Sequence, residues 1–219
     1  MTASAHDTRV ASLRTRSAIA RVFIGLFLLV DLLLALFAAL MLYREVTTKI
    51  SFFMVALPGF LFFIALPLMA SGLALMIWVH RAHANLHAEA LEGLNFAPGW
   101  AATSFLVPVA GLIVPFRAMR ELWNRSHGEP EHFAAVSVDK VSSWWTCYVA
   151  GMLVLAALTV LTALDRLTPF VLMTPPGVNG LFLLLALLLL AGSAWFLWRI
   201  VSAITLAQQT VTRVTGTFD

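Results

Sequence analysis

The chain has 219 residues, of which 61% are hydrophobic and 11% are charged. Soluble domains carry about 25% charged residues, so this composition excludes a soluble globular protein and predicts an integral membrane protein. The net charge of +3 is too small to indicate nucleic-acid binding. A single cysteine, Cys147, excludes an intrachain disulfide and any CxxC redox or metal motif.

A basic stretch opens the chain and precedes the first long apolar run. Residues 1–21 are expected to form a cytoplasmic tail, and its arginines are Arg9, Arg14, Arg16 and Arg21. The run Val22–Tyr43 is longer than the about 7–15 residues of a signal-peptide core, and no A-x-A cleavage site follows it. It is therefore predicted to be an uncleaved transmembrane helix.

One carboxylate, Asp31, lies near the middle of this first run. A charged group inside a membrane span is costly, usually faces the interior of a helix bundle and often marks an ion or proton path. No second acidic or basic group lies deep in the predicted spans, which favours a structural contact between helices. Part of a transport path remains the alternative role.

Three more apolar segments are long enough to cross the membrane, which takes about 20 residues for about 30 Å of hydrocarbon. They are Phe52–Val79, Trp144–Leu164 and Val178–Val201. Pro58 and Pro67 interrupt the first of these, so a tilted or kinked helix is expected there. The last segment begins just after the turn-forming sequence TPPGVNG.

The end of the second apolar segment carries two opposed sets of side chains. At about 100° per residue, one helix face holds His80, His83 and His87. The opposite face holds Trp78, Arg81 and Asn85. We predict that the second set points inward, because Arg81 and Asn85 can satisfy carbonyl groups of the proline-broken stretch that follows. The histidines are then expected to face lipid headgroups or water.

A metal site on the histidines is the alternative, since His side chains three and four residues apart can share one ion. Zinc normally takes four ligands, or three and a water, and the nearby Glu89 lies off the histidine face. A haem with two histidine ligands lacks a facing partner, because the other histidines lie outside the predicted spans. We therefore expect no metal and no cofactor.

Residues 99–115 are apolar but short, and they contain Pro108, Gly111 and Pro115. With four spans, the side that holds both termini carries 11 Lys and Arg residues and the other side carries 3. A fifth crossing would change these counts to 6 and 8. Because basic residues concentrate on the cytoplasmic side, the bias predicts four spans, cytoplasmic termini, a plasma (inner) membrane location and a re-entrant or interfacial segment at 99–115.

The sequence FRAMRELWNRSHG, which begins at Phe116, predicts a short amphipathic helix. Phe116, Met119 and Trp123 recur at helical spacing, while Arg117 and Arg120 can reach anionic headgroups. The alternative is a helix that packs on the cytoplasmic end of the bundle. A polar loop is expected to follow at 126–140.

Three motifs between Trp78 and Ser126 carry a family resemblance: W-x-x-R-A-x-x-N-L, F-A-P-G-W-A and V-P-V-A-G-L-I-V-P-F-R-A-M-R-E-L-W. They resemble the bacterial DUF4328 family of multi-pass membrane proteins of unknown function. The matching residues are Trp78, Arg81, Asn85, Leu86, Pro98, Gly99, Trp100, Pro108, Pro115, Met119, Glu121, Leu122 and Trp123, and Trp144, Trp145, Trp198 and Arg199 also fit. The resemblance implies a membrane location and no established catalytic residue.

The fold class that follows is an all-α integral membrane protein with four transmembrane helices, a re-entrant or interfacial segment and a short amphipathic helix. The membrane domain is expected at 22–209, with its cytoplasmic insert at 99–127 and a C-terminal tail at 210–219.

The sequence favours a structural or interaction module whose basic, Trp-rich cytoplasmic face contacts anionic lipid headgroups, a protein partner or a second copy of the chain. A channel or transporter-like domain that uses residues 99–115 and Asp31 is the first alternative, although inverted repeats are absent from the sequence. A metal-binding protein is the second. No enzyme is expected, because no Ser/His/Asp set, HExxH motif, phosphate loop or pair of carboxylates occurs in the sequence.

Overall fold

The structure, a computed structural model, describes residues 3–49, 53–89, 91–133, 135–167 and 175–215. Within these ranges the chain is helical and contains no strand. The α-helices are α1 Ala3–Thr48, α2 Phe53–Ala88, α3 Pro98–Thr103, α4 Val114–Ser126, α5 Asp139–Leu167 and α6 Val178–Thr215. Short 3₁₀ turns occur at Ser104–Leu106, Ala110–Leu112 and Glu131–Phe133.

Four of these helices, α1, α2, α5 and α6, are long and apolar enough to cross a membrane. The shortest, α5, has 29 residues, which is about 44 Å at 1.5 Å per residue and exceeds the hydrocarbon thickness of about 30 Å. The prediction of an all-α chain with four such helices is confirmed.

Each long helix carries a band of exposed large apolar side chains. The band runs from Ile19 to Val46 on α1, from Val55 to Ile77 on α2 and from Leu181 to Trp198 on α6. On α5 it begins at Leu153 and ends at Leu167. Because contiguous exposed apolar surface of this extent is rare in soluble monomers, the bands mark the surface that hydrocarbon covers.

The helices extend beyond the predicted spans at several ends. Residues 3–21, expected as a tail, continue α1 as helix, and Leu13, Ser17 and Ala20 are buried there. α2 runs without interruption through Pro58 and Pro67. α6 begins at Val178 as predicted and continues to Thr215, so the residues from 210 to 215 are also helical.

The chain divides into two compact units. The first, which we call the insert unit, comprises residues 1–24, 70–143 and 196–219. Its fully buried apolar side chains include Leu13, Trp78, Leu86, Met119, Leu122, Ile200 and Ile204. The insert itself, residues 89–138, connects α2 to α5 and lies wholly within this unit.

The second unit, which we call the span unit, comprises residues 25–69 and 144–195. α5 and α6 approach closely within it at Gly151. A Cβ atom at this position would lie 3.0 Å from Cγ of Leu190 and 3.2 Å from the backbone oxygen of Ala186. Small residues allow such contact between membrane helices, so Gly151 sets the distance between α5 and α6 here.

Candidate functional site

Helix α4 is the polar centre of the insert. Proline near its first turn suits the helix start, because the N–H that proline lacks has no intrahelical partner there. Along the helix, Glu121, Asn124 and Ser126 are buried beside the apolar Met119 and Leu122. A buried polar group is costly unless it forms hydrogen bonds, so the partners of these three side chains define the site.

The carboxylate of Glu121 holds the loop that leads into α3. Its Oε2 accepts hydrogen bonds from the backbone N–H and the side-chain Nδ2 of Asn95, both at 2.8 Å. Its Oε1 accepts a longer bond of 3.4 Å from the backbone N–H of Phe96. Glu121 is 1% exposed, and hydrogen bonds to an ionised carboxylate are about twice as strong as neutral ones.

Asn124 and Arg125 hold the loop that follows α4. Nδ2 of Asn124 donates to the backbone oxygens of Phe133 and Val136. The guanidinium of Arg125 donates to the backbone oxygen of Glu129 at 3.0 Å and to that of Glu92 at 2.8 Å. Arg125 therefore joins the loop after α4 to the loop that leads into α3.

Gln208 of α6 connects two other helices of the insert unit. Its Nε2 donates to the Ser126 hydroxyl at 2.9 Å and to the backbone oxygen of Ala82 at 3.3 Å. Its Oε1 accepts from Nδ2 of Asn85 at 3.4 Å. Gln208 is buried, so this side chain joins α6, α2 and the end of α4 inside the unit.

Trp78 and Asn85 lie on α2 where the sequence analysis placed them, on one buried face, but they contact α6. The Trp78 indole N–H donates to Oγ1 of Thr205 at 3.1 Å, and Asn85 donates to Gln208. The expectation that Arg81 and Asn85 satisfy carbonyls of the 99–115 stretch is wrong for the described residues. Asn85 turns to α6, and Nε of Arg81 is buried without a hydrogen-bond partner.

The 99–115 stretch satisfies its own backbone instead. The Val107 N–H donates to Ser104, the Gly111 N–H to Val107 and the Ile113 N–H to Ala110, at 2.6–3.2 Å. The prolines were expected to leave carbonyl groups without hydrogen-bond donors. In the structure, N–H groups of the same stretch bond to these carbonyls in and around two short 3₁₀ turns. Exposed apolar side chains lie in and beside these turns, namely Leu106, Val107, Val109, Leu112 and Ile113.

The histidines do not share one environment. His80 and His87 are exposed, but His83 is fully buried, so the expectation that all three face headgroups or water is wrong for His83. Its ring nitrogens form no hydrogen bond, and the backbone of Ala118 on α4 lies next to the ring. Two opposite faces of α2 are therefore covered, one by α6 and the other by α4.

A shared metal site on these histidines finds no support in the geometry. Within the described ranges, no three His, Cys, Asp or Glu side chains form a group that can hold a metal ion. His87 uses its Nδ1 in a 3.0 Å contact with the backbone oxygen of His83.

Aromatic and basic side chains meet on the outer side of α4. The guanidinium carbon of Arg120 lies 5.4 Å from the Phe116 ring centroid, and Nζ of Lys140 lies 5.3 Å from that of Trp123. Trp123 also stacks on His127, with 4.5 Å between ring centroids. Phe116, Arg120 and Trp123 are half-buried, whereas Arg117 and Lys140 are exposed.

The remaining candidates from the sequence are Trp100, Pro108, Pro115 and Asp31. Trp100 is 45% exposed on α3, Pro108 is exposed between the 3₁₀ turns, and Pro115 is buried at the start of α4. Asp31, in the span unit, is fully buried, and neither carboxylate oxygen has a hydrogen-bond partner among the described residues.

Glu45 is a functional-site candidate that the sequence analysis missed. This carboxylate is 8% exposed and accepts a hydrogen bond of 2.9 Å from the backbone N–H of Gly177, just before α6. Gly177 has φ +88°, which only glycine adopts without strain. The sequence did carry a signal: Glu45 stands at the end of one apolar run, and the turn-forming sequence TPPGVNG stands before another. An anion near a helix N-terminus is stabilised, so the two could have been paired.

Four long apolar helices with exposed apolar bands define a multi-pass α-helical membrane protein. The chain belongs to the DUF4328 family, described as a domain of unknown function, which matches residues 41–206. This confirms the resemblance noted in the motifs from Trp78 to Ser126. No curated protein and no solved structure matches the chain.

Proposed function

We propose that this protein is a membrane-resident interaction module whose insert lies in the headgroup layer on the cytoplasmic side of the plasma membrane. The 104–113 turns enter the adjacent leaflet, and the basic face of α4 contacts anionic headgroups. Both chain termini are on the same, cytoplasmic side.

The observation that carries this proposal is the exposed apolar surface of the 3₁₀ turns. Val109 is 75% exposed, Leu106 69% and Leu112 59%. Fully burying one such side chain is worth about 1.5–3 kcal/mol, so three of them favour insertion into hydrocarbon. The turns satisfy much of their own backbone hydrogen bonding, which an irregular segment needs at membrane depth.

Charge next to the turns supports a headgroup location. Arg117 on the first turns of α4 is exposed, and Arg120 lies one turn further on. Basic side chains beside an inserted apolar segment attract anionic lipid, at about 1 kcal/mol for each Lys or Arg near the surface. The excess of basic residues on the same predicted side of the chain supports a cytoplasmic orientation.

Depth measurements on single-cysteine variants test this placement. In a Cys147→Ala background, Leu106→Cys or Val109→Cys carries a nitroxide label in liposomes of phosphatidylglycerol and phosphatidylcholine. We expect molecular oxygen to accelerate the relaxation of these labels and a water-soluble paramagnetic reagent to have little effect on it. Glu129→Cys, on the exposed polar loop, is the matched control and should show the opposite response.

Orientation is tested with the same control position. A membrane-impermeant maleimide should label Glu129→Cys in inverted vesicles and leave it unlabelled in right-side-out vesicles. If Leu106→Cys is as accessible to water as Glu129→Cys, the insert does not enter the leaflet. A water-exposed Leu106 that becomes protected only by a co-purified protein would identify a protein surface instead.

A further inference from the structure

A small cavity lies beside the buried carboxylate of Glu45. It is part of the span unit and is enclosed by the end of α1, the beginning of α2 and the beginning of α6. Its volume of about 20 Å³ is enough for one group the size of a water molecule. The described lining residues include Met41, Phe53, Phe60 and Leu183, and Glu45 is the only one of the described lining residues that carries a charge.

The two carboxylate oxygens of Glu45 have different surroundings. Oε1 accepts the hydrogen bond of 2.9 Å from the backbone N–H of Gly177. Oε2 lies beside Gly180, which also lines the cavity, and would be 3.8 Å from a Cβ atom at that position. Oε2 accepts no hydrogen bond from the residues that the structure describes. The oxygen without a partner is therefore the one next to a residue of the cavity wall.

The negative charge of Glu45 has no cationic partner within the described ranges. Arg44 and Lys49, the nearest cations along the chain, are exposed and form no ion pair with it. Removal of a charge from water is costly unless the charge is paired, and buried charges in proteins are usually paired or bound to a metal ion. A cation in the cavity would supply the missing partner.

The lining of the cavity favours an ammonium group over a metal ion. Calcium and magnesium bind about six or more oxygen ligands, whereas Glu45 alone provides a side-chain oxygen among the described lining residues. An ammonium group donates hydrogen bonds to a carboxylate, and aromatic rings such as those of Phe53 and Phe60 attract cations. The volume suits a primary ammonium group and is too small for the trimethylammonium group of choline.

We propose that Glu45 and this cavity bind a primary ammonium group. Oε2 accepts a hydrogen bond from the ammonium, while Oε1 keeps its bond to Gly177. A free amine and the headgroup of phosphatidylethanolamine share this chemistry. A lipid can reach the site, because the exposed apolar side chains of Val46 and Val55 are adjacent in the chain to lining residues of α1 and α2. The site belongs to the span unit and goes beyond the proposed role of the insert.

A comparison of two lipids tests the headgroup as the source of the ammonium. Purified protein in neutral detergent is titrated with dioleoyl phosphatidylethanolamine or dioleoyl phosphatidylcholine, and bound lipid is counted by native mass spectrometry. We expect wild type to bind phosphatidylethanolamine about tenfold more tightly, since one charge-assisted hydrogen bond is worth about one decade in affinity. Glu45→Gln should lose this preference. Asp165→Asn, which changes a half-buried carboxylate of α5 in the same unit, is the matched control and should keep it.

Thermal unfolding in lipid-free detergent tests free amines. Methylammonium chloride, tetramethylammonium chloride and sodium chloride are compared at equal ionic strength. Methylammonium alone should raise the midpoint of wild type and Asp165→Asn, by about 3–6 °C at ten times its dissociation constant, and should leave that of Glu45→Gln unchanged. A preference for phosphatidylethanolamine identifies a lipid headgroup as the ligand. Stabilisation by methylammonium without that preference identifies a free amine.

A variant that fills the cavity separates binding from folding. In Gly180→Ala the added methyl group lies 3.8 Å from Oε2 of Glu45 and 3.3 Å from Cδ1 of Leu42, a flexible side chain. The carboxylate and its bond to Gly177 are retained. Without ligand, Gly180→Ala should unfold at about the wild-type temperature, but it should bind methylammonium at least about tenfold more weakly. Gly192→Ala in the same helix adds a methyl group that meets only Sγ of Cys147, and it should bind as wild type does.

Four results would overturn the site. Equal effects of methylammonium and tetramethylammonium, with no preference between the two lipids, would mean that the cavity holds only water. Equal losses in Asp165→Asn and Glu45→Gln would indicate general attraction to surface charge. Stabilisation by sodium chloride as strong as that by methylammonium would indicate a site for any monovalent cation. Wild-type binding in both Glu45→Gln and Gly180→Ala would place the ligand elsewhere.

The outcome is independent of the role proposed for the insert. The label depths at Leu106→Cys and Val109→Cys do not depend on Glu45 or on the cavity beside it, so the two proposals fail separately.

Discussion

Gln208 of α6 donates to the hydroxyl of Ser126, the last residue of α4, at 2.9 Å. The two residues are 82 positions apart in the chain, and both are buried. Through this contact the insert is fixed to a long apolar helix by a polar side chain. The same amide accepts from Asn85 of α2, so one glutamine organises three helices.

Replacement of Gln208 by leucine should destabilise the protein. It removes the partners of the Asn85 amide and the Ser126 hydroxyl, and a buried polar group left unsatisfied costs about 1–3 kcal/mol. In a chain of this size we expect the thermal midpoint in detergent to fall by about 2–10 °C. Thr210→Ala, at an exposed position of the same helix, is the control, and an equal fall in both would contradict the role of Gln208.

Glu121→Gln should release the loop before α3. The amide keeps the size of the side chain but has only one oxygen to accept the three N–H bonds from Asn95 and Phe96. Loss of bonds to a charged acceptor costs about 1.5–3 kcal/mol. Hydrogen exchange at the Asn95 and Phe96 amides should become faster. Glu129→Gln, which is exposed, should leave both amides at their wild-type rates.

Gly151→Ala should weaken the contact between α5 and α6. The added methyl group meets Leu190 and the backbone of Ala186 at 3.0–3.2 Å, and overpacking of this kind costs about 1–3 kcal/mol. Gly192→Ala is the matched control, because its Cβ would meet only Sγ of Cys147, at 3.8 Å. Thermal unfolding in detergent should show a lower midpoint for Gly151→Ala alone, and equal midpoints would mean that the helices separate without cost.

Asp31→Leu should stabilise the span unit. The carboxylate is buried without a hydrogen-bond partner among the described residues, so an apolar side chain removes an uncompensated polar group worth about 1–3 kcal/mol. Asp31→Asn keeps the size and polarity and should change the midpoint little. A lower midpoint for Asp31→Leu would show that Asp31 forms a stabilising contact, as the structural interpretation of the sequence holds.

Composition and periodicity were sufficient to predict the four long helices, because a membrane span depends only on about 20 consecutive residues. They also located α4, whose apolar and basic positions alternate at helical spacing. The start of α6 at Val178 followed from the turn-forming residues before it. These features depend on neighbours in the chain and on the solvent, both of which are visible in the sequence.

Partners of individual side chains depended on contacts between distant segments. Asn85 was expected to serve the 99–115 stretch, yet it contacts Gln208, 123 positions away. His83 was placed outside because one helix was assumed to have one buried face, whereas α2 packs against both α6 and α4. Glu45 was overlooked because its partner, Gly177, is 132 positions distant.

The sequence by itself was enough to predict that the protein lies in a membrane, how many long apolar helices it has and the family to which it belongs. The tertiary structure decided which polar groups meet inside it: Glu121 with its loop, Gln208 with Asn85 and Ser126, and Glu45 with Gly177. The physical reason is range. Apolar burial follows the local pattern of residues, but hydrogen bonds and charge contacts need atoms a few ångströms apart, which only the packing of distant segments provides.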